Sequence, residues 1–329
     1  MTHFRTYRNN DSPALAALWN RGAPDTSVAR PLSVHEFETR VIGNALFEAS
    51  GLIVAERDGR IVAFVHAGFG PEETNQTLHL SHALGTVGMM VVEPGFEEPE
   101  METRLIAEAE SYLRRHGAQV IYAGGQNPLN PFYWGIYGGS EWAGILGEHT
   151  VFHKAVARAG FEPVSTTLLM EANLTGPEPR DPRGVLMRRQ VRIDVTEDAL
   201  PATWWQSIAI GEFRPTNYRL VAKSDNAELA RASTWEMTWF GRRDGLTRVG
   251  LFDMEVQPGH RRKGYGKHLV NEILRLSRSQ STSVMAVQTR STNGPALALY
   301  QSLGFRPVEC SILYRLPGGS TSLAAAAIS

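Results

Sequence analysis

The pattern of apolar and polar positions predicts strands mixed with helices along the whole chain. Leu52–Glu56 and Ile61–Ala67 are apolar runs of strand length, and the Asp58-Gly59 pair between them is a strong signal for a hairpin turn. Apolar residues from Met101 to Leu113 recur at helical spacing instead, and Gly117 follows as a helix stop. The alternation of strands and helices predicts an α/β class fold, with a mixed α+β sheet covered by helices.

The predicted elements follow a similar order in the two halves of the chain. In the first half we predict strands at residues 3–7, 52–56, 61–67, 86–92 and 119–123, and helices at 12–20, 101–113 and 151–159. In the second half we predict strands at 218–222, 228–240, 248–256, 284–289 and 311–316, and helices at 269–276 and 295–303. The similar order indicates one architecture used twice.

Two short segments recur and support a repeat. VEPG at 92–95 recurs as VQPG at 256–259, an offset of 164 residues, and GFEPV at 160–164 recurs as GFRPV at 304–308, an offset of 144. The difference of 20 residues indicates extra sequence in the first half. The segment 124–147 is the candidate, since it is dense in Gly, Pro and aromatic residues and lacks a regular period.

The repeat predicts two domains. Residues 1–173 form the N-terminal copy with the 124–147 insertion, and residues 190–316 form the C-terminal copy. Residues 174–189, rich in Pro, Arg and Gly, are predicted to be the linker, and residues 317–329 a flexible Gly/Ser/Ala tail.

Composition excludes several classes of protein. With 33 Lys and Arg against 34 Asp and Glu, the formal net charge of −1 disfavours a nucleic-acid binder. The single cysteine, Cys310, excludes an intramolecular disulfide framework and a cysteine-rich zinc site, and we expect no metal site. The N-terminus does not resemble a signal peptide, and no apolar run is long enough to span a membrane. We therefore expect a cytoplasmic protein without a membrane partner, as a monomer or a homodimer.

The segment from Leu251 to Leu269 carries the strongest chemical signal. A predicted strand runs into a glycine-bearing turn that opens an amphipathic helix, and such a turn presents backbone N–H groups to an anion. Gly264 and Gly266 allow close approach of a phosphate to the backbone. Four positive charges accompany them, on Arg261, Arg262, Lys263 and Lys267. A basic, solvated turn before a surface helix is the alternative.

Arg261-x-x-Gly264-x-Gly266 resembles the acetyl-CoA pyrophosphate loop of the GNAT N-acetyltransferase superfamily. The downstream Asn293-x-x-Ala296-x-x-Leu299-Tyr300-x-x-x-Gly304-Phe305 resembles the second motif of that superfamily, at its usual separation. The resemblance covers residues 190–316 and implies two tandem GNAT-like acyl-CoA N-acyltransferase domains, similar in arrangement to mycothiol synthase. No acceptor-site residue matches that enzyme.

The resemblance implies acetyl-CoA as co-substrate. Backbone groups of Met254 and Val256 would pair with the pantetheine arm, and the turn would hold the pyrophosphate. The residues expected to bind it are Met254, Val256, Arg261, Arg262, Lys263, Gly264, Tyr265, Gly266, Lys267 and Asn293.

Tyr300, Asp253 and Glu255 are the expected catalytic residues. Tyr300 would protonate the leaving thiolate; a helix aromatic packed against Phe305 is the alternative role. Alternation along a strand places Asp253 and Glu255 on one face and Met254 and Val256 on the other, so either carboxylate could accept a proton from the amine. His260 and His268 flank the turn and are less suited to this role.

The N-terminal copy lacks this chemistry. At the 164 offset, Arg261, Gly264 and Gly266 correspond to Glu97, Glu100 and Glu102, and Tyr300 corresponds to Val156 at the 144 offset. Acids in the turn repel a pyrophosphate, and Val156 cannot transfer a proton. We therefore expect one active site.

Two aromatic groups are candidates for the acceptor pocket. The insertion offers Phe132, Tyr133, Trp134, Tyr137 and Trp142, which either line that pocket or fill the space left by a missing CoA. The C-terminal copy offers Trp204, Trp205, Trp235 and Trp239, with Glu212 and Arg214.

The sequence thus predicts an N-acetyltransferase that acts on a primary amine, most simply of a small molecule, by direct attack in a ternary complex. A protein or peptide N-acetyltransferase is an alternative of the same chemistry. A non-catalytic acyl-CoA-binding regulatory module is an alternative of another class. Fold alone does not identify the acceptor.

Overall fold

The computed structural model describes residues 1–71, 80–125, 129, 131–141, 144–178, 181–201, 203–210 and 213–318. The strands are β1 (Thr2–Thr6), β2 (Leu52–Arg57), β3 (Arg60–Pro71), β4 (Leu80–Val92), β5 (Val120–Ala123), β6 (Ile145–Leu146), β7 (Glu162–Asn173), β8 (Val191–Thr196), β9 (Thr216–Ala222), β10 (Glu228–Glu236), β11 (Arg248–Val256), β12 (Val284–Arg290) and β13 (Arg306–Arg315). The helices are α1 (Ser12–Gly22), α2 (Val34–Phe37), α3 (Pro99–Arg115), α4 (Thr150–Arg158), α5 (Pro182–Gln190), α6 (Trp204–Ala209), α7 (Tyr265–Ser279) and α8 (Gly294–Ser302).

The strands form one mixed sheet that runs through both copies. Its order is β1-β2-β3-β4-β5-β13-β7-β12-β11-β10-β9-β8, with the short β6 paired beside β13. The predicted hairpin joins β2 to β3, and Asp58 and Gly59 both have positive φ, at 52° and 75°. A two-residue turn with this geometry matches the twist of the strands that it connects. The predicted fold class, a mixed sheet with helices, is confirmed.

The two copies repeat in detail. The parallel pair β4–β5 aligns Leu84–Val87 with Val120–Ala123, and the parallel pair β11–β12 aligns Arg248–Leu251 with Val284–Val287. Each residue of the second pair lies 164 positions after its counterpart. The helices α4 and α8, by contrast, begin at residues 150 and 294, which is the second offset of 144. The additional residues of the N-terminal copy therefore lie between β5 and α4, where the sequence predicts the insertion.

The copies also exchange their last strands. β7 follows α4 of the N-terminal copy but pairs with β12 of the C-terminal copy over Thr167–Asn173. β13, the last strand of the C-terminal copy, reaches back so that Tyr314 and Arg315 pair with β5. β7 and β13 then pair with one another along their length at the centre of the sheet. The boundary between the copies therefore runs through a sheet that both complete.

Several elements are not among those predicted from the sequence. β7 carries three consecutive Ser/Thr residues at 165–167, and the edge strand β8 pairs on one side only, with β9, so neither shows a long apolar run. The helix α5 begins inside the predicted linker, where Asp181 caps it by accepting from the Gly184 N–H at 2.9 Å. The predicted tail from residue 319 onward, and parts of the 124–147 insertion, lie outside the described residues.

Candidate active site

A cleft opens where β11 and β12 separate. The two strands pair only as far as Leu251 and Val287, although both continue further. A bulge causes the separation, since Phe252 lies opposite Ser233 of β10 whereas Glu255 lies opposite Arg231, which leaves one extra residue on β11. Beyond the bulge lies a cavity of about 740 Å³. The edge of β11 that faces β12 is therefore free for an extended ligand.

The bulge changes the predicted alternation of β11. Asp253 adopts a positive φ of 50°, which is uncommon for a residue with a side chain. Leu251 before the bulge and Met254 and Val256 after it all pack in the apolar cluster that includes α7. The predicted placement of Met254 and Val256 on one face fits this arrangement. Asp253, however, is the extra residue of the bulge, so its orientation does not follow from simple alternation.

The glycine turn leads from β11 into α7 as the sequence predicts. Gly264 precedes the helix with φ of 88°, and the first helical hydrogen bond runs from the His268 N–H to the Gly264 carbonyl at 3.0 Å. The N–H groups of Tyr265, Gly266 and Lys267 therefore have no acceptor within the helix. A Cβ at Gly266 would lie 3.0 Å from Val256 Cγ2 and 3.1 Å from Met254 Cε. Glycine thus lets the positive end of the helix approach the strand.

The basic side chains of the turn point into solvent. Arg261 Nε donates to the Val256 carbonyl at 3.2 Å, which folds that side chain over the end of β11. The exposed residues of the turn are Arg261, Arg262, Lys263 and Lys267. This combination of free N–H groups, a glycine that admits a close neighbour and four cations suits a pyrophosphate.

Tyr300 and Asn293 lie on the opposite wall of the cleft, on α8. Tyr300 is 5% exposed, lines the cavity and packs edge-on against Phe305 with ring centroids 5.5 Å apart. Both roles considered for Tyr300 are therefore compatible with its position. Burial, with a smaller contribution from the charge of Glu141, raises the pKa of Tyr300, so the phenol keeps its proton at neutral pH. Asn293 caps α8, its Oδ1 accepting from the Ala296 N–H at 3.2 Å.

Asp253 and Glu255 both line the cavity but differ in their partners. Glu255 forms an ion pair with Arg231 at 2.7 Å. Asp253 accepts a hydrogen bond from Gln206 Nε2 at 3.2 Å. Desolvation by the surrounding cleft raises the pKa of Asp253, an effect that Arg231 and Gln206 only partly oppose. Of the two carboxyls, Asp253 is thus the less firmly held by a cation.

Another carboxyl in the cavity, that of Glu141, is missed by the sequence analysis. It lies on the insertion of the N-terminal copy but lines the cleft of the C-terminal copy. Burial and the nearby charge of Asp253 raise the pKa of Glu141 to about 8. No periodicity or motif distinguishes this acid, because its position depends on a contact between the two copies. Only the location of the insertion could have indicated it.

The aromatic residues of the insertion divide between the two copies. Phe132, Tyr133 and Tyr137 are buried in the cluster of the N-terminal copy that includes β4 residues. Tyr133 stacks on Trp19 with centroids 5.8 Å apart. Trp134 instead packs in a cluster of the C-terminal copy and lines the cleft. Trp134 therefore fits the predicted pocket-lining role, whereas Phe132, Tyr133 and Tyr137 belong to the core of the N-terminal copy. Trp142 lies outside the described residues.

The predicted acceptor residues of the C-terminal copy occupy other positions. Trp235 is buried, and its Nε1–H donates to the Ser140 carbonyl at 2.8 Å. Arg214 lies at the surface, 3.7 Å from Asp198. Among the residues described, Trp204, Trp235, Trp239 and Arg214 do not line the 740 Å³ cavity. These residues therefore lie outside the lining of this cavity, whereas Trp134 and Glu141 of the insertion line it. Glu212 and the side chain of Trp205 are outside the description.

The corresponding region of the N-terminal copy is closed. Glu102 replaces Gly266, is 3% exposed and forms an ion pair with Arg158 of α4. Met90 of β4 and Phe152 and Val156 of α4 are fully buried together with α3 residues in one apolar cluster. Their counterparts Met254 and Ala296 in the C-terminal copy are only partly buried. The side chains of the N-terminal copy therefore fill the space that stays open in the C-terminal copy.

A family model matches much of the C-terminal copy. Residues 187–305 match the acetyltransferase (GNAT) family. The chain is similar to human N-acetyltransferase 8, at 41% identity over 59 residues, and to ribosomal protein bS18-alanine N-acetyltransferase of Escherichia coli (strain K12), at 32% over 60 residues. Each match covers 18% of this chain, and 26% and 40% of the respective relative. The chain thus matches less than half the length of these relatives.

Solved structures resemble the whole chain. A GCN5-related glucosamine N-acetyltransferase region of a fungal multi-domain GH3 β-N-acetylglucosaminidase superposes with a TM-score of 0.71 at 15% identity, over 96% of this chain and 38% of that one. A tandem GNAT protein from the clavulanic acid biosynthesis pathway superposes with a TM-score of 0.64 at 15% identity, over 97% of this chain and 100% of that one. The tandem GNAT fold predicted from the sequence is therefore confirmed.

Proposed function

We propose that this tandem protein of the GNAT superfamily is an N-acetyltransferase, and that its C-terminal copy, residues 190–316, transfers an acetyl group from acetyl-CoA to a primary amine of a small molecule. The observation that carries the proposal is the contrast between the copies. The C-terminal copy has an open cleft beside a helix N-terminus with free N–H groups, whereas a buried acid and apolar side chains occupy the corresponding space in the N-terminal copy.

Acetyl-CoA would bind along the free edge of β11. Met254 and Val256 would pair through their backbone with the extended pantetheine arm, as an added strand does. The pyrophosphate would accept hydrogen bonds from the N–H groups between Arg262 and Lys267, and the exposed cations would neutralise its charge. Asn293, at the N-cap of α8, would stand beside the arm on the other wall.

The catalytic groups proposed for the reaction are a base and an acid on opposite walls. A protonated amine must lose a proton before its nitrogen attacks the thioester carbonyl. Asp253 suits this task better than Glu255, because Glu255 is paired with Arg231. Tyr300 then protonates the thiolate as the C–S bond breaks, since its raised pKa keeps it protonated until that step. Positioning of the two substrates in one ternary complex supplies much of the rate.

A small acceptor is favoured over a protein or peptide. Walls from three sides bound the cavity, namely β11, α8 and the insertion, and the lining includes the ring of Trp134. A peptide would require an open groove. The non-catalytic alternative is weakened by the presence of Tyr300 and Asp253 in the same cavity. The cytoplasmic location and the monomeric or homodimeric state expected from the sequence stay predictions; the described helices include none long and apolar enough to cross a membrane.

The double variant Arg262→Glu with Gly264→Asp tests the proposal. It places two acids in the turn, and it adds a Cβ at a residue with φ of 88°, so we expect acetyl-CoA binding to be lost in calorimetry. Arg104→Glu, a charge reversal on the exposed face of α3, is the control and should bind like wild type. Unchanged affinity of the double variant would exclude this cleft as the acetyl-CoA site.

A further inference from the structure

The two copies meet in the cleft, and the N-terminal copy contributes a side chain to it. We propose that Glu141 is a catalytic residue of the C-terminal cleft, where its carboxylate accepts the proton that the acceptor's ammonium group releases. The inference rests on the proposed function and revises one step of it: Glu141 of the N-terminal copy, and not Asp253, takes the first proton from the ammonium group, and the charge of Asp253 helps to hold that group in the cleft. It also defines the acceptor as an aliphatic amine that is protonated at neutral pH and carries an oxygen near the nitrogen.

The insertion is held against the C-terminal copy at three points next to Glu141. The backbone N–H of Glu141 donates to Gln288 Oε1 on β12. The carbonyl of the preceding Ser140 accepts from Trp235 Nε1 at 2.8 Å. A Cβ at Gly250 would lie 2.9 Å from Ser140 Cβ, so the absence of a side chain on β11 gives the insertion room. Glu141 is therefore placed by contacts with three strands of the other copy.

The charges in the cavity single out Glu141 and Asp253. Arg231 is paired with Glu255 at 2.7 Å, and Arg219 is paired with Glu228 at 2.6 Å. No ion pair of Glu141 or Asp253 with a cation is found within the described chain. Two carboxyls without a cation, facing the same cavity, favour an ammonium group between them. Burial raises the pKa values of both carboxyls.

The environment of Glu141 suits proton transfer from an amine. Its carboxyl lies close enough to Asp253 and Tyr300 for its charge to act on both walls of the cleft. A base is most effective when its pKa is near the working pH, and burial together with Asp253 raises that of Glu141 to about 8.

Gln288 indicates an oxygen on the acceptor. It is 8% exposed and lines the cavity, and its Nε2 has no hydrogen-bond partner among the residues that the structure describes. The orientation of the amide is fixed, because Oε1 accepts from the Glu141 N–H and the Ser140 hydroxyl. A buried donor without a partner is costly. A hydroxyl or carbonyl oxygen of the acceptor would satisfy it.

The proposed step balances as follows. The ammonium R–NH₃⁺ gives one proton to the Glu141 carboxylate, and the resulting amine forms a C–N bond to the acetyl carbonyl. The C–S bond then breaks, the nitrogen loses its second proton, and the thiolate takes one from Tyr300, which regains a proton from the collapsing intermediate or solvent. Glu141 releases its proton to water. The products are the acetamide, free CoA thiol and one proton.

The test compares Glu141→Gln with wild type in full-length protein. The assay measures CoA release with acetyl-CoA and a panel of glucosamine, 2-aminocyclohexanol, lysine amide, cyclohexylamine and aniline. We expect wild type to prefer the three aliphatic amines that carry an oxygen. For these, kcat/KM should fall about 100-fold in the variant. The rise of kcat/KM with pH near 8 should also disappear, while calorimetry shows unchanged affinity for acetyl-CoA.

Controls separate the possible failures. Glu148→Gln, an exposed acid near the end of the same insertion, should behave like wild type. Wild-type protein that does not bind acetyl-CoA would overturn the proposed function itself. Protein that binds acetyl-CoA but acetylates none of the three oxygen-bearing amines would overturn the acceptor class. Glu141→Gln with wild-type kcat/KM and pH profile would overturn the role of Glu141.

Discussion

The N-terminal and C-terminal copies share the same arrangement of strands and differ in how helices and side chains pack against it. Their parallel strand pairs align at the same register, and each copy has a bulge before the end of the central strand, near Gly88 in β4 and at Asp253 in β11. In the N-terminal copy α3 packs directly against α4, and α7 makes no comparable contact with α8 in the described chain. The shared strand register therefore does not produce the cleft by itself, because the packing of the two helices differs between the copies.

The N-terminal copy also contributes residues to the cleft of the C-terminal copy. The insertion buries Phe132 and Tyr133 on one copy and places Trp134 and Glu141 in the cleft of the other. Arg40 of the N-terminal copy is buried and donates to the Trp134 carbonyl at 3.1 Å and to the Ile210 carbonyl at 3.3 Å. The copy without a cleft therefore forms part of the wall of the other.

The largest expected effect is on kcat and comes from Tyr300, whose counterpart in the N-terminal copy is Val156. Tyr300→Phe removes the proposed acid and should lower kcat by about 100-fold or more, with unchanged affinity for acetyl-CoA. Steady-state kinetics and calorimetry check the two parts. Tyr314→Phe is the control, because Tyr314 is also buried but its hydroxyl shares a hydrogen bond with His153 outside the cleft. An unaltered rate in Tyr300→Phe would remove this residue from the mechanism.

The next largest effects should come from exchanging the residue types at the corresponding positions 152 and 296, which removes a ring from the closed copy and adds one to the open cleft. Phe152→Ala deletes a fully buried ring and should lower the free energy of unfolding by about 3–5 kcal/mol. Ala296→Phe places that ring in the open cleft, so acetyl-CoA affinity should fall by at least tenfold while the protein stays folded. Urea unfolding and calorimetry measure these changes. Full affinity in Ala296→Phe would show that the cofactor does not pass this wall.

A smaller effect is the pH dependence of the free energy of unfolding that His66 of the N-terminal copy contributes. Burial lowers the pKa of His66 to about 3, whereas a histidine in the unfolded chain titrates near 6.5. Below about pH 6.5 the His66 imidazole binds a proton in the unfolded chain but stays neutral in the folded chain. The free energy of unfolding therefore falls as the pH drops toward 3. At pH 5 this term is about 2 kcal/mol.

The variant His66→Gln should lose this term. The difference between its free energy of unfolding at pH 7 and at pH 5 should be smaller than that of wild type, because glutamine can still pair with the Tyr133 hydroxyl but does not titrate. His3→Gln, an exposed position on β1, is the control. Equal pH dependence in all three proteins would contradict a buried neutral histidine.

The sequence allowed much of this comparison to be predicted. The repeat offsets of 164 and 144 reappear as strand register and helix positions, because a duplicated chain conserves the spacing of its elements. The glycine turn was predictable from local sequence. Gly264 is required by its positive φ, and Gly266 is required by the close approach of residues on the adjacent strand. The assignment of Asp253 to a face was not, because one extra residue in a strand shifts every side chain after it.

The rest depends on contacts between distant parts of the chain. Glu141 lies 112 positions before Asp253 in sequence, and nothing near it marks an acid in a cleft. The resemblance to the superfamily placed Trp235 and Trp239 in the acceptor region, whereas Trp134 and Glu141 of the insertion line the cavity and the Ser140 carbonyl accepts a hydrogen bond from Trp235. Local patterns predict the elements, and the insertion that joins the copies decides which side chains meet.

The exchange of β7 and β13 has a consequence for synthesis of the protein. β5 of the N-terminal copy pairs with β4 on one side and obtains its other neighbour from residues 306–315 of the C-terminal copy. On the ribosome, the N-terminal copy therefore has an unpaired strand edge until β13 has emerged. Neither copy can be expressed, deleted or replaced alone without exposing such an edge in the other. The two copies therefore complete a single sheet, although the open cleft lies in the C-terminal copy.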